Sequence, residues 1–421
     1  MTWFQRNFGF KELNYTETRN AFQVSTDKED NIQLFSKANS KIFHVGRFDL
    51  PSVFELRQTL SNFTSTNLQP RSLKFQVIGG DARSLHLDPS NAGSVFQVAS
   101  QFNCLEMVGP GVRPEDGVTR YASDRTQGPV CAMACPAGTV FRNYFVNGSG
   151  QNNGRQLDGS MEIAKVLNNE KNNYWTMSNG YMLSKRKSSI REISELIDND
   201  DDLHNQIIGS LRVGVHWNTE VEQWKNRRGT NSDDNNNNSA VDEVKSTHVC
   251  QVFSSAAPIS YDKLSRPSDW ASFATAILEG TYEATLAVAA VIAEKEQRRV
   301  NVFLTSVGGG AFGNSTIWIE RALRRALKLY EHYPLDVRLV CYGTKPANQN
   351  NKFIVLEKEW KKKGKKKVKM EMKMVKIMAM MKLKRNPLKK PKSKRYSIKT
   401  LKRISFISFT LLFRNYSTIL F

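Results

Sequence analysis

The sequence predicts an α/β protein, a three-layer α/β/α mixed sheet that carries insertions and ends in a disordered basic tail. Three observations predict it. Short apolar runs suited to strands covered on both faces alternate with helix-forming segments. Polar or glycine-rich residues stand just past the ends of three such runs, at Asp81, at Asn103 and from Gly308 to Asn314. The basic charge is confined to one end of the chain. Of the net +21 over 421 residues, the stretch from Lys361 to Arg403 holds 20 Lys and Arg against one acid, which leaves the rest close to neutral.

That distribution argues against a nucleic-acid-binding body and assigns the basic charge to a terminal appendage. Forty per cent hydrophobic content and a mean hydropathy of −0.48 suit a soluble globular protein. The length allows two domains, or one large domain with insertions. Five cysteines, an odd number, and a start that lacks a basic segment followed by an apolar run point to reduced thiols in cytoplasm or nucleus. Cys131 and Cys135 lie four apart in an Ala-rich stretch. With no matching Cys or His pair at zinc spacing they are expected to pack in a core, and no metal site is expected.

Residues 1–69 form an N-terminal extension expected to pack on the core. Within it Lys41–Val45 suits a short strand and Leu50–Leu60 a helix with Pro51 near its first turn. Leu73–Ile78 is the next strand, ending in Gly79-Gly-Asp-Ala82. A carboxylate there can accept from a ligand amine, or cap the next element of the chain. Ser94–Asn103 is a second strand running into Asn103-Cys-Leu-Glu106. In open α/β sheets ligands gather beyond the carboxyl ends of the strands, so these ends are the places to look. Asp124, Arg125, Thr126 and Gln127 form a loop rich in hydrogen-bonding groups that either lines a site or is solvated.

From about 146 to 245 the composition turns polar, an insertion in which 190–197 has helical spacing and Leu211–Trp217 is a strand. Residues about 227–243, with Asn235-Asn-Asn-Asn238, read as a disordered loop. His248–Phe253 is another strand. Asp269–Gln297 is a long helix, capped by Ser268 or Asp269, in which Glu279, Tyr282 and Glu283 interrupt an apolar sequence. A buried carboxylate there needs partners; the alternative is a partly exposed helix face.

Arg299–Leu327 reads as a buried strand, a glycine-rich turn and an amphipathic helix. Gly308, Gly309, Gly310 and Gly313 clear side chains from the turn, so backbone N–H groups can converge on a guest. Asn314 or Ser315 can cap the helix, whose N-terminus adds partial positive charge, so the natural guest is a phosphate or diphosphate. A tight turn without a ligand has the same residues. Leu335–Gly343 is a last strand. Residues 346–421 form the basic tail; Ile404–Phe413 is apolar but too short to span a membrane, so no transmembrane segment is expected. The tail's bias toward Lys, Ile, Phe, Asn and Tyr is also that of translated non-coding sequence.

With these pieces in place the chain resembles the macrodomain-like superfamily of ADP-ribose-binding and ADP-ribosyl-hydrolysing modules, over roughly residues 70–345. Val77-Ile-Gly-Gly-Asp-Ala-Arg83, Val95–Asn103 and Leu304–Asn314 carry the resemblance. It implies Asp81 at the adenine, Asn103 at the distal ribose, and Gly308, Gly309, Gly310, Phe312, Gly313 and Asn314 as the diphosphate loop. It implies ADP-ribose or an ADP-ribosylated protein as ligand, with no further cofactor. The chain departs from the family in having Ala99-Ser-Gln-Phe-Asn103 for the usual Asn-Ala-Ala-Asn run. It also shows no clear first glycine loop and lacks the paired glutamates of poly(ADP-ribose) glycohydrolases.

If the protein is a hydrolase, a carboxylate must reach the anomeric carbon, where oxocarbenium-like charge develops. Glu106 is the first candidate and Asp124 the second. A reader that binds ADP-ribose without cleaving it is the first alternative. A protein acting on nucleic acid or an anionic surface through its tail is the second. The sequence leaves the oligomeric state open.

Overall fold

A computed structural model describes residues 1–27, 31–63, 72–222, 246–364, 366 and 370. The loop expected at about 227–243 and most of the basic tail lie outside these residues. The chain divides into two compact units, Met1–Lys361 and Lys362–Phe421. In the second, the described residues are helical and exposed.

The first unit opens with two short helices, α1 (Trp3–Phe8) and α2 (Tyr15–Asn20), then strands β1 (Phe22–Thr26), β2 (Ile32–Ser36) and β3 (Lys41–Asp49). Helix α3 (Val53–Ser61) comes next, started by a capping box in which Ser52 and Glu55 satisfy each other's backbone amides. Then come β4 (Lys74–Gly80), α4 (Ala82–Leu87), β5 (Val95–Ala99), α5 (Gln127–Ala134), α6 (Pro136–Tyr144) and α7 (Met161–Val166). A separate hairpin, β6 (Trp175–Ser178) and β7 (Tyr181–Ser184), precedes α8 (Ser189–Asp198), α9 (Asp201–Ser210) and β8 (Gly214–Glu220). The unit continues through β9 (His248–Ser254), α10 (Ala271–Glu296), β10 (Val300–Leu304), α11 (Thr316–Leu329) and β11 (Leu335–Tyr342).

Nine strands make one mixed sheet in the order β1-β2-β3-β8-β9-β5-β10-β11-β4. From β9 to β4 every pairing is parallel; from β1 to β9 every pairing is antiparallel. The N-terminal extension therefore does more than pack on the core, since β3 pairs with β8 and lengthens the sheet.

The three layers arise from side-chain alternation along the strands. Val302 and Leu304 of β10 join the large core under α3, α8, α9, α10 and α11, while Phe303 between them joins Phe96 on the other face, toward α4, α5 and α6. The layered α/β/α sheet expected from the sequence is thus present.

Helix α10 is apolar on all sides because it is buried on all sides, between the sheet and the neighbouring helices. By length and composition the segment Pro267–Glu296 could cross a membrane, yet its apolar window lies wholly inside the protein. Asp269 caps the short 3-10 turn before α10, together with Arg266, so the α-helix itself starts later than its sequence signal.

Glu279, Tyr282 and Glu283 of α10 are buried with partners. Glu283 takes Arg57 at 2.6 Å and Arg325 at 2.5 Å, and Glu279 takes His204 at 2.9 Å. Burial alone would raise the Glu283 pKa. The two arginines outweigh it and hold the group below the usual carboxylate range.

The compact unit runs past 345, where the sequence starts the tail. A helix beginning at 352 buries Phe353, Ile354 and Leu356 in the main core, and Trp360 donates to the Leu73 carbonyl. Glu357 is buried between Lys345 and Lys361, at 2.7 and 2.6 Å. The apolar residues of 353–360 come just before the lysine run, whose composition hides them. All five cysteines are unpaired, and four are buried.

Candidate functional site

The parallel half of the sheet opens at its carboxyl edge. Strands β5 and β10 pair over only two positions, Val95 with Val302 and Phe96 with Phe303. Beyond these, glutamine side chains replace the ladder. Gln97 Oε1 accepts from Thr305 N at 3.2 Å; Gln127 accepts from Ala99 N at 2.8 Å and donates to Gln97 O at 2.7 Å. A cleft of about 340 Å³ lies over the separated strand ends, within the usual size of a small-molecule site.

Its floor is an aromatic column. His86 stacks on Phe96 at 3.7 Å, Phe96 on Phe303 at 4.6 Å, and Arg338 covers Phe303 from beyond. His86 is wholly buried and burial pushes its pKa down to about 4. The neutral ring with its proton on Nδ1 fits both neighbours, Ala82 O at 2.7 Å and the Gln251 amide at 3.1 Å from Nε2.

One wall is the turn after β10. Gly308 and Gly313 have φ of +73° and +76°, which favours glycine. Within the turn Gly309 N bonds Ser306 O, Gly313 N bonds Gly310 O, and Asn314 N bonds Gly308 O. Asn314 is buried, and its carboxamide ties Ala257 O at 2.8 Å to the Gly308 carbonyl. Tyr282 of α10 holds the base of the turn, donating to Thr305 O at 2.7 Å and accepting from Val307 N at 3.2 Å. Among the described residues, the amides of Ser306, Gly308, Gly310, Ala311 and Phe312 have no hydrogen-bond acceptor. All five of these residues line the cleft.

The start of α5 makes another wall, with Thr126, Gln127, Gly128, Pro129 and Val130. First-turn amides have no acceptor within their own helix, and Pro129 loses nothing by lacking one. A Cβ at Gly128 would come 2.0 Å from Ala99 O, so helix and strand meet here backbone to backbone. Asp124 lies just before, accepting from Thr126 N at 2.8 Å, and lines the cleft.

Asp81 stands at the β4 end. One of its oxygens, Oδ1, caps α4 through Ser84 N at 2.9 Å and Ser84 Oγ at 3.0 Å. Among the described residues Oδ2 has no partner, so one carboxylate both caps the helix and keeps an acceptor for the cleft.

Glu106 is 2% exposed and lines the cleft. Arg142, fully buried, brings one guanidinium nitrogen to 3.4 Å from both its oxygens and stacks on Phe253 at 3.6 Å. Arg142 also donates to Cys104 O at 2.9 Å. Burial raises the Glu106 pKa to about 7, against the opposing pull of Arg142.

The cleft brings together Asp81, Glu106, Asp124, Gly308, Gly310 and Phe312. Four other residues expected at the site serve elsewhere. Asn103 is fully buried and does not line the cleft; its carboxamide donates to Gln156 at 2.8 Å and accepts from Leu105 N. Gly309, Gly313 and Asn314 shape the turn from behind.

Sequence reasoning missed Tyr181 and Tyr261, which meet Phe312 in an aromatic corner with centroids 4.9–5.6 Å apart. Tyr181 comes straight after the Asn179-Gly180 turn of the β6–β7 hairpin, a strong hairpin signal inside the polar insertion. It also missed Arg142, which carries no local signal. Among the described residues no cluster of three His, Cys, Asp or Glu could hold a metal.

No protein-family model matches the chain, and no curated protein matches it. Similar solved structures include poly(ADP-ribose) glycohydrolase from Thermomonospora curvata, 10% identical, covering 79% of this chain and 93% of that one at a TM-score of 0.40. Another is the Deinococcus radiodurans glycohydrolase in complex with ADP-ribose, 9% identical over 83% and 99% of the two chains at 0.37. The T. curvata protein bound to the inhibitor ADP-HPD is 12% identical over 78% and 91% at 0.36. At these scores the likeness is one of outline, and the cleft is read from its own atoms.

Proposed function

We propose that the protein binds ADP-ribose, free or attached to a protein, and hydrolyses the ADP-ribosyl bond. The observation that carries this reading is the set of five unpartnered amides from Ser306 to Phe312, all in residues that line a cleft whose other wall is the start of α5. Preorganised N–H groups of this kind suit a diphosphate. Asp81 Oδ2 offers an acceptor for the exocyclic amine of adenine. Glu106 supplies an acid near the other end.

In the proposed reaction the bond from the anomeric carbon to the leaving atom breaks. The Glu106 carboxyl gives its proton to the leaving atom. Water supplies the hydroxyl to the anomeric carbon, and its spare proton returns to Glu106. A group with a pKa of about 7 is matched to this exchange.

Calorimetry with ADP-ribose, and with AMP and ATP as controls, tests binding. Saturable heat with ADP-ribose alone is expected; no heat ends the proposal. Release of ADP-ribose from a modified protein then separates hydrolase from reader. Turnover should be highest below pH 7 and fall about tenfold per pH unit well above it. Glu106→Gln should lower it by about 100-fold or more. An unchanged rate in that variant would remove Glu106 from the mechanism.

A further inference from the structure

A second cleft, of about 310 Å³, lies between the loop 153–158 and the turn of the β6–β7 hairpin. The hairpin separates it from the main cleft: Tyr181 lines one, while Met177, Ser178, Asn179 and Gly180 line the other. Its chemistry differs from that of the main site. It has one cationic and one anionic side chain, Arg155 and Asp158, and the Arg155 guanidinium is turned onto the carbonyls of Ser149 and Gly150. Nothing there concentrates positive charge for a phosphate.

What the cleft offers instead is neutral hydrogen bonding. Gln156 and Asn179 bond each other at 2.8 Å, and Asn179 donates to Pro110 O at 2.7 Å. Each primary amide has two N–H groups and an oxygen with two lone pairs, so each keeps one N–H to offer. Asp158 uses Oδ1 alone on Ser160, accepting from its N at 2.8 Å and its Oγ at 2.7 Å. Among the described residues Oδ2 has no partner, and burial raises the Asp158 pKa. A partly desolvated carboxylate oxygen of this kind is best satisfied by a hydroxyl donor. Leu157 and Met177 add apolar surface for a C–H face.

We propose that this second cleft binds a neutral polyol, one sugar ring whose neighbouring hydroxyls reach Asp158 and the amides of Gln156 and Asn179. The site lies against the segment that carries Glu106, because Gln156 accepts from Asn103, which in turn fixes Leu105 N. The proposal does not depend on the function of the main cleft. The sugar can arrive free or as a ribosyl unit of an ADP-ribose chain, and the test separates these sources.

The experiment is a residue-resolved NMR titration of the full-length protein with D-ribose, ADP-ribose and inorganic phosphate. Saturable shifts at the side-chain amides of Gln156 and Asn179 are expected. If D-ribose produces them the sugar binds free; if only ADP-ribose does and Asp158→Asn abolishes them, the ribosyl unit is the occupant, whereas shifts that survive Asp158→Asn come from the main cleft and overturn the proposal.

Asp158→Asn keeps an oxygen for Ser160 and replaces the free acceptor with a donor, so it should weaken the sugar at least tenfold. Asn179→Asp, which tolerates the left-handed turn, should also weaken it; thermal unfolding confirms that each variant folds. The proposal fails if no sugar shifts these amides or if phosphate displaces the sugar. It fails equally if both variants, folded, bind like the parent.

Discussion

Gly308 and Gly310 stand two apart in one turn and answer to different constraints. A Cβ at Gly308 would lie 2.5 Å from the Ala256 Cβ, and its φ is +73°. A Cβ at Gly310 would meet nothing within 4 Å, and its φ is not in the left-handed region. Gly308→Ala should therefore cost about 1–3 kcal/mol in backbone strain alone and disturb the amides that face the cleft. Gly310→Ala should leave the free energy of unfolding within about 0.5 kcal/mol of the parent. Urea unfolding checks both; equal losses in the two variants would refute the steric account. The glycines were legible as a turn, because four in six positions have few other uses. Which of them line the cleft was not, since that depends on Ala256 and Ser260, side chains distant in sequence that back onto Gly308 and Gly313. Asn103 is the converse case. A polar residue past a strand end looks like a ligand contact, and here Gln156, 53 positions away, takes its amide.

Helix α10 holds the base of the glycine turn through the Tyr282 hydroxyl. Tyr282→Phe would leave Val307 N and Thr305 O without their partner, at a cost of about 1–3 kcal/mol for groups buried or partly buried. Because those groups anchor the base of the glycine turn, affinity for ADP-ribose should fall along with stability. Calorimetry on the folded variant checks this, and unchanged affinity would mean the turn holds its shape without the tyrosine. The interruption of an apolar helix by Glu279, Tyr282 and Glu283 was visible in the sequence; the arginine and histidine partners came only with the packing of α3, α9 and α11 around it, and the tyrosine's backbone partners with the turn after β10. Strands β5 and β10 were legible because both faces are largely apolar, and β11 because its apolar residues alternate. Strands β1 and β2 were not: each is half solvated and polar, and becomes a strand by pairing along the edge that β3 offers.

Across the whole molecule, two buried groups flanking one cleft work against each other as pH changes. His86 has its pKa pushed down from 6.5 to about 4, and Glu106 has its own pushed up from 4.5 to about 7. Between pH 4.5 and 6.5 the unfolded chain protonates His86 and the folded chain does not, so stability rises with pH on that account. In the same window the folded chain keeps the Glu106 proton and the unfolded chain loses it, so stability falls with pH. Each contribution is about 2 kcal/mol over these two pH units, since the proton linkage of 1.36 kcal/mol per unit is only partly developed at the ends of the window. The two should nearly cancel, leaving a flat profile from this pair. Glu106→Gln removes one contribution and keeps the shape and hydrogen-bonding capacity of the side chain. Its stability should then climb by about 2 kcal/mol from pH 4.5 to 6.5, relative to the parent over the same interval. Urea unfolding at the two pH values measures that difference. Parallel profiles for parent and variant would mean that Glu106 enters the folded protein already ionised, and the acid assigned to the cleft would have to be sought at Asp124.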